Sequence, residues 1–305
     1  MDKVIIVFWS QSGNTESMAN AVAEGATAAG KEAVVVDVAS ASLDDLKAAK
    51  GFAMGCPAMG AEVLEEGEME PFVCDVEGFA AGKTIALFGS YGWGDGQWMR
   101  DWEDRMTAAQ VADKLEQCAR QNRLTHTMFL TPHQRGIAQQ VVVCCGTPLH
   151  RIMGGHPDAE RCLFLFLPDY MDADNIPEEE LPFGAIRVSW GHGAALTHRD
   201  ILGSLMAQGV RREVLGDLLV GENGCDVIAL RECIPFLRDN WLSAGRTGLH
   251  PVEIPLSELR IPAADGKTIR DTVASLRLDA VLGSGFSLSR GRAAELIAAG
   301  GGSLN

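Results

Sequence analysis

The sequence predicts an α/β protein: a parallel sheet covered by helices over residues 1–110, then an α+β region, then a small helical module. Three observations predict it. Apolar runs of strand length alternate with helix-period segments across the first 110 residues, the pattern of a parallel sheet buried on both faces. Three of those runs open into loops rich in glycine and hydroxyl side chains. Charge is also uneven: residues 1–110 hold 18 acidic and 7 basic residues, whereas residues 267–305 carry a net +2 within a chain of net −15. The two ends are expected to meet different partners.

Composition bounds the rest. The length of 305 residues suits two or three domains. No apolar run reaches the roughly 18 residues of a membrane span. Met1 to Phe8 runs straight into a strand pattern with no signal-peptide shape, so a cytoplasmic protein is expected. The eight cysteines are scattered with no Cys-x-x-Cys pair, which fits neither a zinc nor a disulfide framework.

In order, Val4–Trp9 reads as a buried strand, stopped by Ser10-Gln11-Ser12-Gly13-Asn14-Thr15. Met18, Ala21, Val22, Gly25 and Ala26 then follow a helical period. Strand, hydroxyl-rich loop and helix N-terminus is a phosphate-binding arrangement, and the loop's lack of Lys sets it apart from nucleotide-triphosphate loops. Ala33–Val38 is a second strand, Leu43–Lys50 a short helix, Phe52–Gly55 a third strand, Lys83–Gly89 a fourth and Gln97–Ala108 a helix. Ligands of such sheets sit beyond the carboxyl ends of the strands. Loops 10–15, 55–62 and 89–98 leave those ends.

These loops carry a resemblance. Trp9 to Thr15, Gly55-Cys56-Pro57-Ala58-Met59-Gly60-Ala61-Glu62 and Gly89-Ser90-Tyr91-Gly92-Trp93-Gly94-Asp95-Gly96 resemble the short-chain flavodoxins of anaerobic bacteria. The resemblance implies a flavodoxin-like electron carrier that binds flavin mononucleotide (FMN), with no catalytic residue. It implies that Ser10, Gln11, Ser12, Gly13, Asn14 and Thr15 cradle the phosphate, and that Met59 and Trp93 sandwich the flavin ring. Gly60 would supply a peptide that reorients on reduction, Glu62 would accept from the ring N3–H, and Ala58, Ser90, Tyr91, Gly92 and Asp95 complete the loops. Acidic charge around the ring would lower its potential and favour redox partner proteins of basic surface. Taken alone, Met59 and Trp93 also read as packing residues. Glu65, Glu66, Glu68 and Glu70 read as a solvated face, and Cys56 as a packed thiol.

The resemblance stops near Met106. The fifth strand and last helix of such a domain are missing, which leaves the fourth strand as an open edge and part of the core unfilled. Val141–Cys145 is an apolar run of a length to fill the gap, but the resemblance that follows claims it instead. Val111–Arg120 reads as helix.

Residues from about 111 onward resemble bacterial RNA-binding proteins with a C-terminal domain named after small-subunit ribosomal protein four. The matching segments are Gly154–Arg161, Leu196–Gly203, Arg211–Leu218, Ser275–Leu282 and Ser289–Ile297. The resemblance implies binding to ribosomal RNA or the large ribosomal subunit. Expected domains are 1–110, 111–180, an RNA-recognition-like α+β domain over 181–262, and a clipped RNA-binding module over 267–305. Strands are expected at Ile186–Trp190, Leu218–Val220, Val227–Leu230 and Val252–Ile254, and helices at Thr197–Gln208 and Ile234–Ala244. In the last module, a helix over Arg277–Ser284 and a second capped by Ser289 leave Arg277, Arg290 and Arg292 free to meet phosphates. That module stops at Asn305, where relatives continue, and Gly301-Gly302 departs from their pattern.

His198-Arg199-Asp200 resembles a kinase catalytic loop, but Leu205 stands where its Asn is needed. His192 and His198 lack further ligands, so no metal site is expected. Functional readings are an FMN electron carrier fused to an RNA-binding module, an RNA- or ribosome-binding protein of the translation-rescue type with a vestigial flavodoxin portion, and flavin-gated RNA binding, which rests on the fusion alone. A chimeric reading frame and the oligomeric state stay open.

Overall fold

A computed structural model of the chain describes residues 3–80, 82–191, 195–262, 270–273, 275 and 277–298. The chain divides into two compact units, residues 1–260 and 261–305.

The first unit opens with β1 (Lys3–Phe8), α1 (Asn14–Ala28), β2 (Glu32–Asp37), α2 (Leu43–Ala48), β3 (Gly51–Gly55), α3 (Met69–Glu77), β4 (Thr84–Phe88) and α4 (Gln97–Gln121). The four strands form one parallel sheet in the order β2-β1-β3-β4. Helix α3 was not expected from the sequence. Its signal is Met69, Phe72, Val73 and Val76, spaced to give one apolar face, and all four are buried. The acidic residues before it had masked that face. Val7, Met54, Val73, Trp98, Trp102 and Met106 share one core.

Strand β2 is one edge of the sheet, β4 the other. Beside it lies a cavity of about 360 Å³, lined by Thr84, Ile85 and Leu87 of β4, by Met106 and Val111 of α4, and by Phe129 from later in the chain. Among the described residues no fifth strand pairs with β4, and residues from later in the chain line the gap beside it. Arg211 donates to the Thr84 hydroxyl at the start of β4.

Helix α4 is the decisive element. The sequence suggested two helices and a boundary at 110/111; the structure has one helix of 25 residues running through that boundary. No Gly or Pro interrupts Gln97–Gln121. Gly96 (φ +82°) precedes the helix and Asn122 (φ +49°) ends it, both in the left-handed region that stops helices. Its first half contributes Trp98, Trp102 and Met106 to the parallel-sheet core. Its second half contributes Val111, Leu115 and Cys118 to another core, with Leu130, Ala138, Val142, Phe164 and Phe166.

That second core is completed by β5 (Thr125–His126), α5 (Pro132–Cys144), β6 (His150–Met153) and β7 (Leu163–Phe166), with the strands antiparallel in the order β5-β7-β6. Val141–Cys145 is therefore no replacement strand. It closes α5, which is started by Pro132 and a Thr131–Gln134 capping box. Strand β7 went unread in the sequence, although Cys162–Leu167 is apolar throughout. It is buried on both faces: Phe164 and Phe166 meet the α4–α5 core, while Leu163 and Leu165 join the next one.

The third layer comprises β8 (Phe183–Ser189), α6 (His198–Ala207), β9 (Leu215–Val220), β10 (Gly224–Leu230), α7 (Ile234–Asn240), a short hairpin of β11 (Ser243–Ala244) and β12 (Thr247–Gly248), and β13 (His250–Ile254). The order β13-β8-β10-β9 is antiparallel. Helix α7 ends short of the expected Ala244. Trp241 leaves helical geometry (ψ 72°), is fully buried, and donates through Nε1 to Ser204 at 2.9 Å. His198-Arg199-Asp200 opens α6, where Thr197 and Asp200 form a capping box. The motif is a helix start. His192 lies outside the described residues, among which no group of His, Cys, Asp and Glu is placed to hold a metal.

The second unit contains α8 (Leu278–Gly285) and α9 (Arg290–Ala298). Arg277 is the N-cap of α8 rather than its first residue. No helix among the described residues is long and apolar enough to cross a membrane.

Because α4 belongs to two cores, Ala109→Pro should damage both. A mid-helix proline costs about 3 kcal/mol or more. Thermal unfolding followed by circular dichroism should show a single transition in the wild type and a lowered or split one in the variant. An unchanged melting curve contradicts the shared role of α4.

Candidate functional sites

Three loops converge at the carboxyl ends of β1, β3 and β4. The first begins at Trp9 and ends at Gly13, whose φ of +86° turns the chain into α1. The Ser10 hydroxyl accepts from Gly13 N–H at 3.0 Å, and Gly13 makes no side-chain cap of its own. Thr15 in the first turn is 1% exposed, yet its hydroxyl has no partner. A buried, unpartnered hydroxyl at an uncapped helix N-terminus suits an anion. Gln11, Ser12 and Asn14 are exposed around it.

The second loop is a tight turn. Met59 and Val63 exchange both backbone hydrogen bonds, at 2.8 and 2.9 Å. Gly60 (φ +47°) and Glu62 (φ +56°) between them are left-handed. Glycine accepts that geometry freely; Glu62 holds it with its carboxylate accepting from Gly96 N–H at 2.9 Å. A Cβ on Gly94 would lie 2.3 Å from that carboxylate, so Gly94 makes room for it.

The third loop is tied to the second by Ala58 N–H donating to the Ser90 carbonyl at 3.0 Å. It exposes Tyr91 and Trp93, the latter 65% exposed, while Gly92 faces open space. Asp95 is held by Arg100 in the first turn of α4 at 2.9 Å. The structure thus brings every flavin-site residue expected from the sequence to one rim of the sheet. Cys56 beneath it is fully buried, and burial pushes its thiol up to about 11, so it is a packed group rather than a nucleophile.

Glu65, read from the sequence as part of a solvated face, has a defined role. Its carboxylate accepts from the backbone N–H groups of Gly67, Glu68 and Met69 at 2.8 to 3.0 Å, at the entry to α3. Burial pushes this carboxyl up, but the three donors outweigh that and hold it below the usual range. A depressed folded-state value means the stabilisation is complete above the unfolded value, about 4.3, and lost as pH falls through the folded one. Glu65→Gln should therefore cost about 1 kcal/mol near neutral pH, as for a lost cap. In denaturant melts, the gap between wild type and variant should be full above about pH 5 and shrink as pH falls through the lowered value; a gap that does not change with pH contradicts this role.

Two segments of the second resemblance meet in a structural lock. Asp217 accepts from His156 Nε2 (3.0 Å) and from the N–H groups of Glu160 and Arg161. Arg161 is buried and donates to the carbonyls of Phe129, Leu215 and Arg212. Burial, with Arg212 nearby, lowers its guanidinium to about 10.

In the second unit, Ser289 caps α9, its hydroxyl accepting from Arg292 N–H at 3.3 Å. The three arginines expected to be free are not. Arg277 and Arg290 both donate to Asp279, and Arg292 pairs with Glu295. A charge balance counts Asp279 and Glu295 without placing them: Glu295 lies three residues after Arg292 on α9, whereas the Arg290–Asp279 pair joins α9 to α8.

Comparison with known proteins accounts for both halves. A family model described as flavodoxin matches residues 6–123, and one described as a putative RNA-binding domain in YlmH matches residues 191–258. A flavodoxin of Clostridium beijerinckii is 50% identical over 101 residues, 33% of this chain and 73% of that protein. The ribosome-associated protein quality control protein P2 of Bacillus subtilis is 32% identical over 178 residues, 58% of this chain and 68% of that protein. The chain belongs to both families. The flavodoxin-family segment runs through α4 into the P2-family segment. The solution structure of two-electron reduced Megasphaera elsdenii flavodoxin is 43% identical, covering 35% of this chain and 77% of that one, with a TM-score of 0.34. The match to the YlmH RNA-binding domain ends before α8, so it does not extend to the helical module of the fusion.

Proposed function

We propose that this fusion is an FMN-binding electron carrier whose second part binds ribosomal RNA. The observation that supports FMN most directly is Thr15, a buried hydroxyl without a partner at the N-terminus of α1. FMN supplies reversible electron transfer; the protein binds and orients it. Ser10, Gln11, Ser12, Gly13, Asn14 and Thr15 hold the phosphate, Met59 and Trp93 flank the ring, and Ala58, Gly60, Glu62, Ser90, Tyr91, Gly92 and Asp95 line its polar edge. The net charge of −11 over residues 1–110 favours basic redox partners. This half acts as a carrier and not as an enzyme, in a cytoplasmic protein.

Purified protein should show a flavin absorption spectrum, or acquire one with added FMN. Thr15→Val should weaken FMN binding roughly tenfold to a hundredfold, the worth of one hydrogen bond to a charged group. A protein that takes up no flavin contradicts this half of the proposal.

Membership of the P2 family favours the second half. Residues 267–305 act there as a domain of the ribosomal-protein-four type, with Arg277, Arg290 and Arg292 toward RNA and Ser289 fixing the start of α9. In this reading 1–110, 111–180, 181–262 and 267–305 are segments of resemblance, with α4 running unbroken across the first limit. Replacing all three arginines by Ala should weaken association with ribosomal RNA and reduce its salt dependence by up to about three phosphate contacts. Unchanged affinity removes this surface from the reading.

A further inference from the structure

We propose that Asp279 is the organiser of a two-arginine phosphate clamp on the second unit. The inference rests on the reading of residues 267–305 as RNA-binding. Arg277 stands at the N-cap of α8 and Arg290 is the first residue of α9, so they come from different helices. Both converge on one carboxylate. Arg277 donates through Nε to Asp279 Oδ1 at 3.0 Å and through Nη2 to Oδ2 at 3.4 Å. Arg290 donates through Nε to Oδ2 at 2.9 Å. Asp279 is itself anchored, its Oδ1 accepting from Ala280 N–H at 3.1 Å.

The exposures are unequal in a telling way. The Asp279 side chain is 13% exposed, whereas Arg277 and Arg290 are 70% and 60% exposed. The carboxylate is thus the inner member and the guanidiniums are the outer ones. Each guanidinium has five N–H donors, and Asp279 engages only two from Arg277 and one from Arg290. Among the described residues no other group takes the remaining donors, which leaves them for a phosphate, bound by guanidinium groups with a planar fork. Two exposed arginines without Asp279 would repel each other and sample many rotamers. With it they are gathered before RNA arrives, which lowers the ordering cost of binding. Arg292 pairs with Glu295 on its own helix and stands outside the clamp.

This makes a prediction whose sign opposes simple charge counting. Asp279→Asn removes a negative charge, so long-range attraction alone says RNA binds more tightly. The clamp says binding weakens, by roughly tenfold, because two side chains must be ordered afresh. The test uses the full chain and a fluorescein-labelled hairpin of ribosomal RNA, titrated by anisotropy at several salt concentrations. The Arg277→Gln/Arg290→Gln double variant and the triple variant that adds Asp279→Asn are measured in parallel. The clamp requires D279N to weaken binding in the native background and to have no further effect in the double variant. Tighter or equal binding by D279N overturns the clamp and leaves RNA binding standing. Equal losses in both backgrounds also overturn it, since they report a structural role. A wild-type chain that does not bind the hairpin overturns both the clamp and the RNA reading.

Discussion

The structure depends on one helix being a member of two cores. Helix α4 is about 37 Å long at 1.5 Å per residue, longer than either half needs. Trp98, Trp102 and Met106 close the flavodoxin sheet, and Val111, Leu115 and Cys118 seed the next layer. Burying a Trp such as Trp102 is worth about 3–5 kcal/mol against Ala. The first half of the helix is therefore held firmly, and the second half inherits its direction. Strand β7 repeats the device, with Phe164 and Phe166 on one side and Leu163 and Leu165 on the other. Three cores are linked by elements they share rather than by linkers.

This explains how the four-stranded parallel sheet keeps its three loops together at one rim. The three loops leave β1, β3 and β4, all of which are present, and the loss falls on the outer side of β4. There the cost is visible as a cavity of about 360 Å³ against Ile85 and Leu87. The cavity is not open on all sides, because Phe129, Leu130 and Arg211 from the second part also line it. A void of this kind costs stability without disturbing hydrogen bonds at the far end of the strands.

Much of this was legible in the sequence, for physical reasons. The apolar run Val4–Trp9 and the loops at Ser10, Gly55 and Gly89 each combine a strand signal with glycine where the backbone turns, so the strands and the loops that leave them are legible together. The missing strand was legible as an absence. Two things were not. Helix α3 hid behind Glu65, Glu66, Glu68 and Glu70, because charge at a helix start resembles a solvated loop until Phe72, Val73 and Val76 are placed on one face. The pairing of Arg277 and Arg290 with Asp279 depends on how two short helices are set against each other, which periodicity does not encode. The continuity of α4 was within reach: residues 97–121 contain neither Gly nor Pro, but the end of one family resemblance at Met106 suggested a break where the backbone has none.

Amide hydrogen exchange along α4 tests the central claim most directly. If the helix binds the two cores into one cooperative unit, amides near Trp102 and near Leu115 should open with the same free energy, and added FMN should slow both. If those two stretches exchange with different free energies, and FMN slows only the first, the two families fold independently and the shared helix does not join them.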